Sequence, residues 1–107
     1  MPFQALDISI DMIRSLREPL ARIAQHDATL AKQIRSAAQS VGQNLGEGRR
    51  RIGGDRLHIW RIAAGSADEL MTSLRIAEAF GYVTMEEIKL VMRACDRVLA
   101  ITWKLTH

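Results

Sequence analysis

Five arginines, Arg49, Arg50, Arg51, Arg56 and Arg61, stand within thirteen residues whose one acid is Asp55. Guanidinium groups at that density set up a positive field that steers phosphate-bearing polymers, so the run is a candidate contact for RNA or DNA. The plainer reading is a solvated loop whose charge keeps the protein soluble. The rest of the chain is close to balanced. Residues 1–53 carry eight Lys/Arg against five Asp/Glu and residues 54–107 carry seven of each, so the whole net charge of +3 comes from the first half.

Other residue types with chemical potential are weaker. Six residues separate Arg51 from His58, a spacing shared with HEPN ribonucleases, in which His serves acid–base chemistry and Arg steadies phosphate charge. Here Ile52 stands where such motifs carry a polar residue, and Gly53-Gly54 puts a flexible break between the two. Dimetal bundles need Glu-x-x-His pairs; the nearest approach is Asp55-x-x-His58 at a loop–helix junction, while His26 and His107 are scattered. No metal and no cofactor is expected. Ser66 follows Gly65 in a helical setting without the strand-to-helix elbow of a hydrolase. Cys95 lies on an inward stripe with no nearby base, so it reads as a small core residue. Asn44 and Glu47, at i, i+3, share nearly one helical face and read as a polar network tying two helices together.

These residues need elements to hold them, and the spacing of apolar side chains supplies four helices. The first is expected over Leu6–Ala24, with Leu6, Ile13, Leu16, Leu20 and Ile23 inward and a kink or break near Pro19. Asp27 is the expected N-cap of the second, Ala28–Glu47, which carries Leu30, Ile34, Ala37, Val41 and Leu45 and stops at Gly46-Glu47-Gly48. After a loop over 49–54, Asp55 is expected to cap a third helix reaching Phe80, with Gly81 as its left-handed stop. Thr84-Met85-Glu86-Glu87 is a capping box for the fourth, whose inward row is Ile88, Val91, Cys95, Val98, Thr102 and Leu105. Seven Gly and two Pro are too few for the turns of a sandwich or barrel. The expected fold is all-α, an antiparallel up-down four-helix bundle, as one domain over 1–107.

With a loop centred near residue 51, Ala37, Ala38 and Ser40 fall opposite Ala63, Ala64, Gly65 and Ser66. Small residues on both sides allow a close helix approach, and Gly65→Leu is expected to force the pair apart. The same register places Arg35 near Asp68 and Glu69, and Asn44 and Glu47 near the start of the third helix.

The run Gln33-x-Arg35-x-Ala37-Ala38-x-Ser40-Val41-x-x-Asn44-Leu45-x-Glu47-Gly48, then Ala63-Ala64-Gly65-Ser66-Ala67-x-Glu69-Leu70 and Ala79-Phe80-Gly81-Tyr82, resembles the four-helix-bundle family found in intervening sequences of bacterial 23S ribosomal RNA genes. The chain departs from many relatives at Ser9, where a Trp would stand, so its first helix is expected to pack differently. The resemblance implies a small cytoplasmic bundle that assembles into rings, often pentamers, with no established catalytic activity. It marks Arg35, Asn44, Glu47, Gly48, Gly65, Ser66, Glu69, Gly81 and Tyr82 as motif residues.

Two further expectations concern surroundings. No run of apolar residues is long enough for a membrane span, and a lone cysteine suits a reducing cytoplasm. Apolar residues exceed one stripe per helix, with Ile8, Ile10, Met12, Trp60, Ile62, Ile76, Leu90, Ile101 and Trp103 as the surplus, and that surplus calls for burial against identical copies. The expected protein is a non-enzymatic, self-assembling bundle whose basic loop contacts nucleic acid, with no small-molecule substrate. A HEPN-like ribonuclease and a pure protein-interaction module are the alternatives.

Overall fold

The computed structural model describes residues 3–107. Four helices follow one another, α1 (Gln4–His26), α2 (Ala28–Arg49), α3 (Gly53–Ala79) and α4 (Met85–Thr106), in a bundle about 43 Å long and 22 × 20 Å across. Each helix packs on two others, α1 on α2 and α4, α3 on α2 and α4. The helices therefore occupy the corners of a square in chain order, the arrangement that short joints impose on consecutive helices.

The joints carry the local chemistry expected of them. Asp27 caps α2, its carboxylate accepting from the Leu30 amide at 2.9 Å. At the end of α3, Gly81 takes φ 82°, the Tyr82 amide reaches back to Ala77 O and the Gly81 amide to Glu78 O. This pair of bonds satisfies carbonyls that the helix end leaves open, and the positive φ suits a residue without Cβ. The capping box of α4 is complete: Thr84 Oγ1 accepts from the Glu87 amide at 3.2 Å and Glu87 Oε1 from the Thr84 amide at 2.9 Å.

Four local expectations are corrected. α1 continues without a break through Pro19, whose ring is buried; core packing outweighs the lost backbone donor. Asp55 does not cap α3. The helix starts at Gly53, with φ 61° there and Ile52 as an N-cap without a side-chain bond, and Asp55 sits in the first turn bonded to Arg51. α2 does not stop at its Gly-Glu-Gly run but continues to Arg49. The inward row of α1 is Ala5, Ile8, Ser9, Met12, Leu16, Pro19 and Ile23, with Leu6, Ile13 and Leu20 at its edge. That row runs through small residues, which a reading by side-chain size passes over. Ser9 satisfies its hydroxyl on Leu6 O at 2.7 Å and lies beside Gly42 of α2, where a Trp would not fit without displacing the helix.

The α2–α3 seam is built as expected from small residues, but its glycine is a different one. Ala37, Ala63 and Ala67 are buried, and Ser40 and Ser66 share a hydrogen bond at 2.7 Å across the seam, while Ala38 turns to the α1 side of α2. Gly65 lies on the outer surface with nothing within 4 Å of where a Cβ would stand, so the clash expected of Gly65→Leu does not arise. Gly48 is the glycine in contact. Trp60 lies flat against its backbone, a Cβ there would overlap the indole ring, and the indole N–H points to Leu45 O at 3.4 Å. Two expected outcomes follow, read by thermal or denaturant unfolding. Gly48→Ala lowers stability by about 1–3 kcal/mol, because overpacking outweighs the gain in helix propensity. Gly65→Ala raises it by about 0.5–1 kcal/mol, because only propensity changes.

Candidate functional site

The turn between α2 and α3 holds the arginine cluster, and most of that cluster is spent on the fold. Arg51 engages three of its nitrogens: Nε donates to Glu47 Oε1 at 3.0 Å, Nη2 pairs with the same oxygen at 2.9 Å, and Nη1 donates to Asp55 Oδ2 at 2.8 Å. The hydrogen bond from Arg51 is the main reason the Glu47 carboxyl titrates below its ordinary value, and the paired carboxylates raise Arg51 in turn. Arg56 folds back onto the end of α2, donating from Nε to Gly48 O and from Nη2 to Arg49 O, both at 3.1 Å. Those are carbonyls at a helix C-terminus, where a cation is favoured by the helix dipole. The same guanidinium lies 5.4 Å from the centre of the Trp60 ring. Arg61 does for α4 what Arg56 does for α2, donating to Thr106 O at 2.8 Å.

Arg49 and Arg50 remain turned to solvent. Arg50 approaches Glu47 at 3.5 Å with its side chain 77% exposed, a contact that contributes little. Arg49 makes no ion pair among the described residues. The turn thus offers two exposed guanidinium groups beside exposed Ile52. His58 is exposed on α3, with Arg51 already saturated by its two carboxylates.

The motif residues divide among several tasks. Asn44 Nδ2 donates to Ser40 O at 2.8 Å and Ser40 Oγ at 3.0 Å, which links it through Ser40 to Ser66 on α3. Glu47 serves the turn. Gly48 receives Trp60, Gly81 closes α3, and Tyr82 stacks between His26 and Phe80, with ring centres 5.0 and 5.4 Å away. Arg35 and Glu69 do not meet. Ser40 stands opposite Ser66 rather than further along, and Arg35 turns to the other side of α2, where it lines a groove with Arg17 and Leu20 of α1. Glu69 is exposed on α3.

Cys95 is fully buried, its Sγ 3.5 Å from Met12 Sδ, and burial pushes its thiol up to about 12. Among the described residues, no group of three or more His, Cys, Asp or Glu is placed to hold a metal ion. No helix among them is long and apolar enough to cross a membrane.

The surplus of apolar residues is smaller than expected, because Ile8, Met12 and Trp60 turn inward and Ile101 packs half-buried against the core. Ile10, Ile62, Ile76, Leu90 and Trp103 stay between 39% and 62% exposed. One apolar groove of about 520 Å³ runs along α1 and α2, floored by Ile10, Ile13, Leu16 and Leu20 and rimmed by Arg17 and Arg35.

A square bundle with a braced basic turn and solvent-facing apolar stripes defines the class: a small all-helical module. The chain belongs to the 23S rRNA-intervening sequence protein family, whose model matches residues 4–104. Among solved structures it is similar to a protein of the S23 ribosomal protein family from Bacteroides thetaiotaomicron, described as having unknown function. The two share 18% identity and a TM-score of 0.85, over 95% of this chain and 97% of that one. At that identity the likeness speaks for the fold. No curated protein matches the chain.

Two outcomes test the division of labour within the cluster. Arg56→Ala is expected to cost about 1–2 kcal/mol of stability through lost helix-end bonds and lost cover for Trp60, whereas Arg49→Ala and Arg50→Ala stay within about 0.5 kcal/mol; chemical denaturation separates them. Cys95 is expected to resist thiol reagents at neutral pH until the bundle unfolds. Its folded pKa is raised, so the stability tied to the protonated thiol is intact below the ordinary value of 9.0 and declines as pH climbs toward about 12. Cys95→Ala or Cys95→Val should flatten that alkaline limb.

Proposed function

We propose that this protein is a non-enzymatic, cytoplasmic bundle that acts as a self-assembled scaffold and presents its α2–α3 turn to RNA or DNA. The observation that carries the reading is the set of apolar side chains left facing water, Ile10, Ile62, Ile76, Leu90 and Trp103, on a chain whose core is already filled. Exposed residues of that size, beside an apolar groove on α1 and α2, mark surfaces that gain by burial against other protein. Identical copies are the economical partners, and closed symmetry is their usual form. Five copies is the number favoured by the family resemblance.

Nucleic-acid contact is supported by Arg49 and Arg50, which are exposed and dispensable for the fold, rather than by the whole cluster of Arg49, Arg50, Arg51, Arg56 and Arg61. Arg51 and Arg56 brace the turn, Arg61 is engaged at the end of α4, and all three contribute their field from behind. The family's name sets its members beside 23S rRNA, so RNA is the first polymer to try. The free thiol of Cys95 suits a reducing compartment.

Two measurements test the reading. Light scattering at micromolar concentration should give a mass several times the 12.0 kDa of one chain; a persistent monomer overturns self-assembly. Mobility shifts with single- and double-stranded RNA and DNA over a salt series should show binding that falls with salt. Arg49→Ala with Arg50→Ala should reduce the slope of log K against log salt by about two per bound copy on a duplex, while the melting temperature holds. Unchanged binding by the double variant removes the turn, and no binding by the wild type removes nucleic acid altogether.

A further inference from the structure

Two motif residues find no partner among the described residues. Arg35 and Glu69 are both exposed, and neither makes an ion pair or side-chain hydrogen bond among the described residues. A facing arrangement between copies accounts for both, and it rests on the self-assembly reading above. We propose that the outer stripe of α3, Ile62–Glu69–Ile76, seats in the α1–α2 groove of a second copy of this chain, with Glu69 meeting Arg35 and Arg17 of that copy.

The stripe is a continuous one. Residues seven apart return to nearly the same helical face, and Ile62 and Glu69 flank Ser66 at four and three residues, on the side where Ser66 meets Ser40 of α2. The stripe therefore looks outward from the α2–α3 side of the bundle. Ile62 and Ile76 are 40% and 43% exposed, with a carboxylate midway between them.

The groove has the matching pattern. Ile10 and Ile13 floor one end, and Arg17 and Arg35 rim the other. Ile10 and Arg17 are seven residues apart on α1, a rise of about 10 Å, and Glu69 stands the same seven residues from either isoleucine of the stripe. When one isoleucine covers Ile10 and Ile13, the carboxylate therefore arrives at the two guanidinium groups. The α3 stripe carries a carboxylate, Glu69, at its centre, the sign that an arginine-rimmed groove favours.

The placement of the two surfaces gives closure. Groove and stripe lie on adjacent sides of a square bundle, whose outward directions differ by roughly a right angle. The contact is heterologous, one surface against a different one, and each added copy turns the chain of contacts by roughly that angle, which closes a ring of about four or five copies instead of a straight filament.

The test is a charge exchange read by native mass spectrometry and sedimentation, with circular dichroism confirming that each variant remains helical. Glu69→Arg and Arg35→Glu, made singly, should each weaken assembly by at least about tenfold. The two together, which restore opposite charges in reversed positions, should bring the oligomer back. Glu69→Gln and Arg35→Gln serve as milder variants with the same expected direction, and Ile10→Asp should abolish assembly without rescue by either exchange. If both single variants assemble as the wild type does, or the double variant is no better than the singles, this interface is wrong while self-assembly stands. If the wild type itself is monomeric at tens of micromolar, both readings fall.

Discussion

The close approach of α2 and α3 is the constraint on which the other features depend. Small residues line the seam, Ala37 and Ser40 on α2 and Ala63, Ser66 and Ala67 on α3, but small residues alone leave a seam that could slide. Two contacts fix it. Ser40 and Ser66 pair in mid-seam, and Trp60 lies against the bare backbone of Gly48 near the turn. The indole can occupy that place only because Gly48 has no Cβ, so one missing side chain settles the register of half the bundle. Phe3 stacks on the same indole at 5.2 Å, which ties the start of α1 to the seam as well.

The basic turn is a consequence of that seam. A helix ending at a tight approach leaves carbonyls pointing at its neighbour, and Arg56 supplies the donors while covering Trp60. Arg51 then bridges the last turn of α2 and the first turn of α3 through Glu47 and Asp55. Five arginines in a short run look like a surface built for phosphate. Three of them are answers to local problems of helix ends and a short joint, and the surface left for a partner consists of the two that solve none.

Much of the fold was legible in the sequence, for reasons that can be named. The Asp27 cap, the Thr84 box and the Gly81 stop are local devices whose geometry depends on a few neighbouring residues, and all three stand as read; apolar spacing gave the four helices but not the inward row of α1. The errors arose where a long-range contact decided the role. Gly48 reads as a helix stop because glycine after a polar run usually is one; only the distant Trp60 makes it a packing slot. Gly65 reads as a seam glycine when the turn is centred near residue 51, but that arithmetic gives the level of a residue and not its face: Ala63, Ser66, Ala67 and Leu70 turn inward, and Gly65 points out. Ile8 and Met12 read as surplus because the true inward row of α1 passes through Ala5 and Ser9. For the arginines, spacing counts the charges and gives no sign of which acceptors lie within reach.

The faces on which charged residues fall also bear on how the chain meets its surroundings. An opposition of Arg35 with Asp68 and Glu69 would have been an internal brace, and both sides of the seam would then be electrically closed. In the structure the two halves of that pair look out from adjacent sides of the bundle, each next to apolar side chains that the core does not need. A charge beside exposed isoleucine is a poor arrangement for a lone monomer, since the apolar surface gains nothing from it. It is a good arrangement for orientation, because burial supplies the attraction while the single charge permits one seating and opposes others. Under the proposed assembly the apolar stripes and the unanswered charges are two parts of one surface design, and the turn with Arg49 and Arg50, at the end of the bundle rather than on its sides, would stay accessible.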